Sequence, residues 1–195
     1  MQQSNTEIMR RRSLVDATIN EIGRAGSLEI TVGQIAKKAG VSSALAHHYF
    51  GSKDQIFLAA MRHLLRNFGT SVHDALAQSN TPRSRIESVI KTSFSEVNFS
   101  SDIISAWLNF YVQAQNSAEV QRLLRVYQRR LQSNLSHDLR PLVGKHAPEI
   151  AQGLGAMIDG FYIRQALRRG NPDRDHAISQ TLTYLDLNLE RYGLS

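Results

Sequence analysis

The chain has 195 residues and no cysteine, which removes disulfides, Cys-ligated zinc, iron–sulfur clusters and thiol nucleophiles together. Twenty-three Lys and Arg against 17 Asp and Glu give a net charge of +6, an excess that permits a polyanionic partner without requiring one. At 42% hydrophobic residues the chain is globular rather than disordered. The polar opening MQQSNTEIMRRRSL lacks the apolar stretch of a signal peptide, and no run approaches the roughly 20 apolar residues of a membrane span. A cytoplasmic protein is expected.

Apolar residues recur three and four apart nearly throughout, so the expected class is all-α with about nine helices and no strand. Leu14, Ala17, Thr18, Ile22 and Ala25 line a first helix that stops near Gly26. Thr31-Val-Gly-Gln34 reads as a capping box opening a short helix that ends at Gly40. Ser42-Ser43 caps another short helix through about Tyr49. Ser52-Lys-Asp-Gln55 reads as a second capping box, opening a long run through Ile56, Ala60, Leu64, Phe68, Val72 and Leu76. Pro82, Pro148 and Pro172 each precede a helical pattern, with Thr81 and Asn171 as candidate N-caps. The remaining helices are expected over about 82–97, 101–114, 117–140, 148–169 and 173–192.

The segment from Val32 to Phe50 has the ingredients of a helix-turn-helix. Ala36 is small enough for the crossing, Gly40 is free to turn, and Ile35, Ala39, Val41, Leu45 or Ala46, and Tyr49 can lock the pair. An ordinary αα-hairpin would share these features. Charge separates the two readings. Residues 1–62 hold 8 Lys and Arg against 5 acids, about twice the net charge density of the rest, with Arg10, Arg11, Arg12, Lys37, Lys38 and Lys53 around the hairpin. From their chemistry, Ser43 and His47 can hydrogen-bond base edges, Ala44 can touch a thymine methyl, and His48 can do either. Adjacent histidines on a helix point about 100° apart, so His47 and His48 do not suggest a metal site.

Thr31, Ile35-Ala36, Ala39-Gly40-Val41-Ser42, His48-Tyr49-Phe50 and Ser52-Lys53-Asp54 occur in the order of the TetR-family signature, which this chain resembles. Ala46-His47-His48 departs from the bulkier aliphatic or aromatic residue followed by Tyr that many members carry. The resemblance implies a DNA-binding unit over 1–52 and an effector-binding and dimerisation unit over 53–195. It also implies base contacts from the exposed face of 42–49, Ser42 included, and phosphate contacts from Thr31, Tyr49 and Lys53. Ala106-Trp107-Leu108, Phe110, Gln128-Arg129-Arg130-Leu131, Ser133-Asn134-Leu135, Met157-Ile158-Asp159-Gly160 and Arg164 extend the likeness. They are similar to the choline-responsive branch of that family, which represses glycine betaine synthesis. The function so implied is a dimeric repressor on a palindromic operator, with choline as effector and no cofactor or metal.

A quaternary ammonium offers no N–H, so its pocket needs aromatic faces and a nearby negative charge. Trp107, Phe110 and Tyr111 supply an aromatic cluster on one helix, with Tyr127 and Tyr162 as candidates on others. Asp159 lies in an otherwise uncharged run, where it faces either a bound cation or an arginine such as Arg130 or Arg164. Trp107 and Phe110 are equally compatible with plain core. For the dimer, Leu154, Ile158, Phe161 and Gln165 form one face and Ile178, Leu182, Leu185 and Leu189 a second stripe. Gly153, Gly155, Ala156 and Gly160 would permit close approach. Packing inside the subunit is the competing account of those stripes.

No catalytic motif is complete. Gly153-Leu-Gly155 follows no strand, Gly51-Ser-Lys lacks the upstream glycine of a phosphate loop, and Asp173 and Asp175 suit a helix start. The expectation is a regulator, not an enzyme. Two other readings remain: a regulator of efflux or lipid metabolism that takes a bulky lipophilic ligand, and a helical adaptor that binds no DNA.

Overall fold

The computed structural model describes residues 5–168 and 170–193. Among them lie nine α-helices and one 3-10 turn, with no strand. The front unit holds α1 (Asn5–Ala25), α2 (Val32–Lys38) and α3 (Ser43–Phe50). Behind it come α4 (Lys53–Ala77), α5 (Pro82–Ser93), α6 (Ser101–Gln113), α7 (Ala118–Val143), α8 (Ala147–Ala166) and α9 (Arg174–Tyr192). Residues 1–4 and 194–195 of the expected units, and residue 169 of the expected eighth helix, lie outside the described residues.

Local chemistry accounts for most boundaries. The capping box at Thr31 is present in both directions: Gln34 N–H donates to Thr31 Oγ1 at 3.1 Å and Thr31 N–H to Gln34 Oε1 at 2.7 Å. At Ser52 only half of the expected box forms, because the hydroxyl accepts from Gln55 N–H at 3.3 Å without a returning bond. Asp173 rather than Asn171 caps α9, accepting from His176 N–H at 3.1 Å. α5 ends four residues earlier than expected. Phe94 and Phe99 turn into the core there and meet edge to face at 5.1 Å. α7 runs past Pro141 to Val143, since one proline in the last turn removes only a single N–H, and Gly144 at φ 55° stops it.

α7 packs along α8, α5 lies against α4 and α7, and α1 packs on both α4 and α6. α4 therefore belongs to both regions: Ile56, Phe57, Ala60 and Met61 are buried near its start and Val72 near its end. The α1–α6 joint is tight. A Cβ on Gly23 would come within 2.6 Å of Asp102 Cα, so only glycine lets the helices approach this closely. Ser105 Oγ donates to Ile22 O at 3.3 Å and Asn109 Nδ2 to Gly26 O at 3.4 Å, fastening α6 to the end of α1.

Candidate functional site

The hairpin of α2 and α3 is rigid for identifiable reasons. Gly40 sits at φ 70°, where a side chain would be strained, and Val41 N–H returns to Ala36 O at 3.0 Å. Ile35, Ala36 and Ala46 are buried, so Ala46 rather than Leu45 is the fully covered lock on α3. Ser43, Ala44, His47 and His48 are exposed together on the other side of α3. The Ser42 hydroxyl is occupied as the N-cap, accepting from Leu45 N–H at 3.2 Å, and that of Thr31 caps α2. His47 Nδ1 lies 3.1 Å from Gly51 O. A carbonyl only accepts, so Nδ1 is the donor in this contact and Nε2 is left for another partner.

Two expected free cations are engaged within the chain. Arg11 donates to Glu7 Oε1 at 3.2 Å, and its guanidinium lies 5.2 Å from the Tyr49 ring centre and 5.4 Å from that of Phe50. It pins α1 to α3. Lys53 Nζ sits 5.2 Å from the Phe57 ring centre. Lys37 and Lys38 are exposed at the end of α2, and Arg10 is exposed on α1.

In the rear unit, four of the expected aromatic residues converge. The Trp107 ring lies 5.9 Å from Tyr111, 4.9 Å from Tyr127 and 6.2 Å from Tyr162, bringing α6, α7 and α8 to one point. Phe68 of α4 closes a further side, edge-on to Tyr127 at 5.6 Å. Phe68, Ser93 and Ile158 join these rings around a closed gap with no room for a water molecule. Phe68 was hidden in the sequence because an aromatic residue on an apolar helical stripe reads as core. Phe110 does not join. It is buried and borders a different pocket, with Phe57 and Leu58 of α4.

Asp159 stands at the edge of this box. Tyr111 OH donates to its Oδ1 at 2.9 Å, and the Tyr127 hydroxyl is near enough to favour its ionised form. Burial pushes its carboxyl above the usual carboxylate range, and the two hydroxyls offset part of that shift. Neither arginine considered from sequence pairs with it: Arg130 lines a groove between α4 and α7, and Arg164 a pocket between α8 and α9. No cation is paired with Asp159 among the described residues. The Tyr162 hydroxyl sits between Ser93 O (2.7 Å) and Asn98 O (2.8 Å), which fixes the ring as a wall. Burial raises the pKa values of Tyr111, Tyr127 and Tyr162, and the negative charge of Asp159 acts the same way, so all three remain neutral donors.

Residues 82–190 match the model of the BetI-type transcriptional repressor C-terminal region, and residues 14–60 that of the bacterial regulatory proteins of the tetR family. The chain belongs to the BetI-type regulators of the TetR family. It is 51% identical over 190 residues to the HTH-type transcriptional regulator BetI of Brucella canis, covering 97% of this chain and 96% of that one. It is 43% identical over 194 residues to BetI of Rhizobium meliloti, covering 99% and 96%. Among solved structures it resembles a transcriptional regulator from Saccharomonospora viridis in complex with choline, with a TM-score of 0.81 and 21% identity over 90% of this chain and 95% of that one. A Rhodococcus regulator gives 0.78 and 20% over 93% and 95%. These relatives are regulators of transcription, not enzymes.

The stripes assigned from sequence to a BetI-type dimer need correction. Leu154, Ile158 and Leu185 are fully buried within the single chain, so they cannot meet a partner. Phe161, Gln165, Ile178, Leu182 and Leu189 are half-buried. Gly153 serves the chain's own α8–α9 crossing, because its missing Cβ makes room for the Tyr184 ring, and Gly155 faces Leu131 of α7. The outward stripe of α8 is Ala156, Gly160, Ile163 and Leu167, and α9 adds Gln180, Thr183 and Leu187. Leu167 is 74% exposed and Leu187 59%, which for side chains this apolar marks an unpartnered surface. Among the described residues no helix is long and apolar enough to cross a membrane, and no group of three His, Asp or Glu could hold a metal ion.

Proposed function

We propose that this BetI-type regulator is a choline-responsive homodimer that binds a palindromic operator and represses glycine betaine synthesis from choline in the cytoplasm. One observation carries the reading: Asp159, a half-buried carboxylate without a cationic partner among the described residues, lies against a box of Trp107, Tyr111, Tyr127 and Tyr162. Aromatic faces with one uncompensated negative charge complement a quaternary ammonium. The rings pack closely enough to leave no room even for a water molecule, so a ligand enters the box only by displacing one of them. The choline-bound regulator from S. viridis and the BetI names of the 43–51% identical relatives support the same effector.

On this reading residues 1–52 read DNA and 53–195 hold effector and partner. Ser43, Ala44, His47 and His48 face the bases. His47 Nε2 accepts from an adenine or cytosine amino group. Ser42, Thr31, Tyr49 and Lys53 lie at the phosphates, with the two capped helix starts adding backbone dipoles. The dimer forms through the outward stripe of α8 and α9 centred on Ile163, Leu167 and Leu187. Choline enlarges the box by displacing Phe68, which α4 carries on the same rigid helix as Lys53, about 22 Å away at 1.5 Å per residue. The two recognition helices then lose their match to successive major grooves.

The test is a thermal melt with choline, glycine betaine, carnitine and a lipophilic cation at matched ionic strength. Choline at 100 times its dissociation constant is expected to stabilise by about 2.7 kcal/mol. A shift with the lipophilic cation alone would overturn the choline reading and leave the DNA-binding regulator standing.

A further inference from the structure

Next to the box lies a separate, mostly apolar groove between α4 and α7, with a volume of 590 Å³. Leu65, Val72, Leu76 and Leu131 give it an apolar floor, and the outer faces of Phe68 and Tyr127 divide it from the box. Its charge is the reverse of the box's. Arg66 and Arg130 line it and no acidic residue does, while His73 on its rim is in contact with Asp74 at 3.3 Å. Neither arginine has an ion-pair or hydrogen-bond partner among the described residues, although their neighbours along the surface, such as Arg83 and Arg85, are paired with acids. Arginines without a counter-charge over an apolar floor fit one kind of occupant: an organic anion whose carboxylate meets the guanidinium fork while its hydrocarbon covers the floor. A quaternary ammonium would be repelled.

We infer that the α4–α7 groove is a second ligand site, for an amphipathic carboxylate, distinct from the cation box and sharing Phe68 and Tyr127 with it as a common wall. Its volume falls in the range of ordinary small-molecule sites, roughly 300–1,000 Å³. It lies on α4 and α7, where Val126 is exposed at its edge, whereas the more exposed Leu167 and Leu187 lie at the end of α8 and on α9. Charge complementarity therefore selects a small anion over another subunit as the occupant.

Isothermal titration of the full-length protein with sodium octanoate and with octanamide tests the site, since the two share a tail and differ in charge. Octanoate is expected to bind roughly tenfold more tightly than octanamide, the effect of one charge-assisted contact of about 1.4 kcal/mol. The double variant Arg66→Gln/Arg130→Gln is expected to lose that preference while keeping its melting temperature and its response to choline. Equal binding of octanoate and octanamide would overturn the proposal, as would no binding of either. Unchanged octanoate affinity in the double variant, or a change in its oligomeric state by sedimentation, would overturn it as well. Failure of the choline reading shows in the melts with choline and leaves this comparison unaffected.

Discussion

Replacing Asp159 with Asn keeps the shape of the side chain and removes its charge, so it separates packing from electrostatics. A trimethylammonium about 5 Å from the carboxylate interacts by about 3 kcal/mol at an effective dielectric constant near 20. Asp159 also borders an open groove between α7 and α8, beside Gln128, Arg129 and Gln132, so solvent screens part of this. Allowing for that screening leaves about 2 kcal/mol, or roughly a thirtyfold loss in choline affinity. Without ligand the expected sign is opposite. Burial raises the folded-state pKa of Asp159, so its contribution to stability is greatest below the ordinary carboxylate range and falls as pH rises through the raised value. At pH 7.5 the charge is a cost, and Asp159→Asn is expected to melt above the wild type. Choline at 100 times the wild-type dissociation constant should add about 2.7 kcal/mol to the wild type but only about 0.9 kcal/mol to the variant. At roughly 2–4 °C per kcal/mol, those are shifts of about 5–11 °C and 2–4 °C. Equal choline-induced shifts in the two proteins would refute the role of this carboxylate.

Tyr111→Phe removes the 2.9 Å bond to Asp159 and should raise its pKa further, so choline affinity should fall with acidification from a higher pH than in the wild type, as titrations across pH 5–8 would show. Gly153→Ala should destabilise by about 1–3 kcal/mol in denaturant melts, because the added methyl displaces the Tyr184 ring. Leu167→Glu should yield a folded monomer by sedimentation, whereas Leu185→Glu, at a fully buried position, should fail to fold. Thr31→Ala should cost about 1 kcal/mol through loss of the α2 cap and weaken DNA binding in a polarisation assay.

The front unit was legible because its signals are local. A capping box spans four residues, and a glycine at a turn needs only its own φ, so Thr31, Gln34 and Gly40 could be placed without knowing the rest of the fold. The box was legible where one helix determined the geometry: Trp107 and Tyr111, four apart, share a face. Phe110, three residues on from Trp107, falls on the other flank, and only the position of α4 shows that this flank is core. Three residues of the dimer stripes, Leu154, Ile158 and Leu185, are covered by the chain itself for a related reason. The most apolar face of α8 is the one its own subunit covers, so Leu154 and Ile158 drew attention that belonged to the sparser outward row of Ile163 and Leu167. Asp159 stands out for its isolation in an apolar run, but that neither Arg130 nor Arg164 pairs with it depends on where α4, α7 and α9 come to rest.

The joint at Gly23 bears on how a choline constant is measured. Because α6 carries Trp107 and Tyr111 and is fastened to the end of α1, the box and the DNA-reading unit are parts of one mechanical linkage. Linkage of that kind runs both ways: whatever factor choline imposes on operator affinity, the operator imposes on choline affinity. On the proposed reading, with a coupling of about 1–3 kcal/mol, the same protein titrated on and off DNA would give dissociation constants roughly 5–150-fold apart. The threshold at which it answers choline is then set jointly by this chain and by the fraction of it resting on DNA.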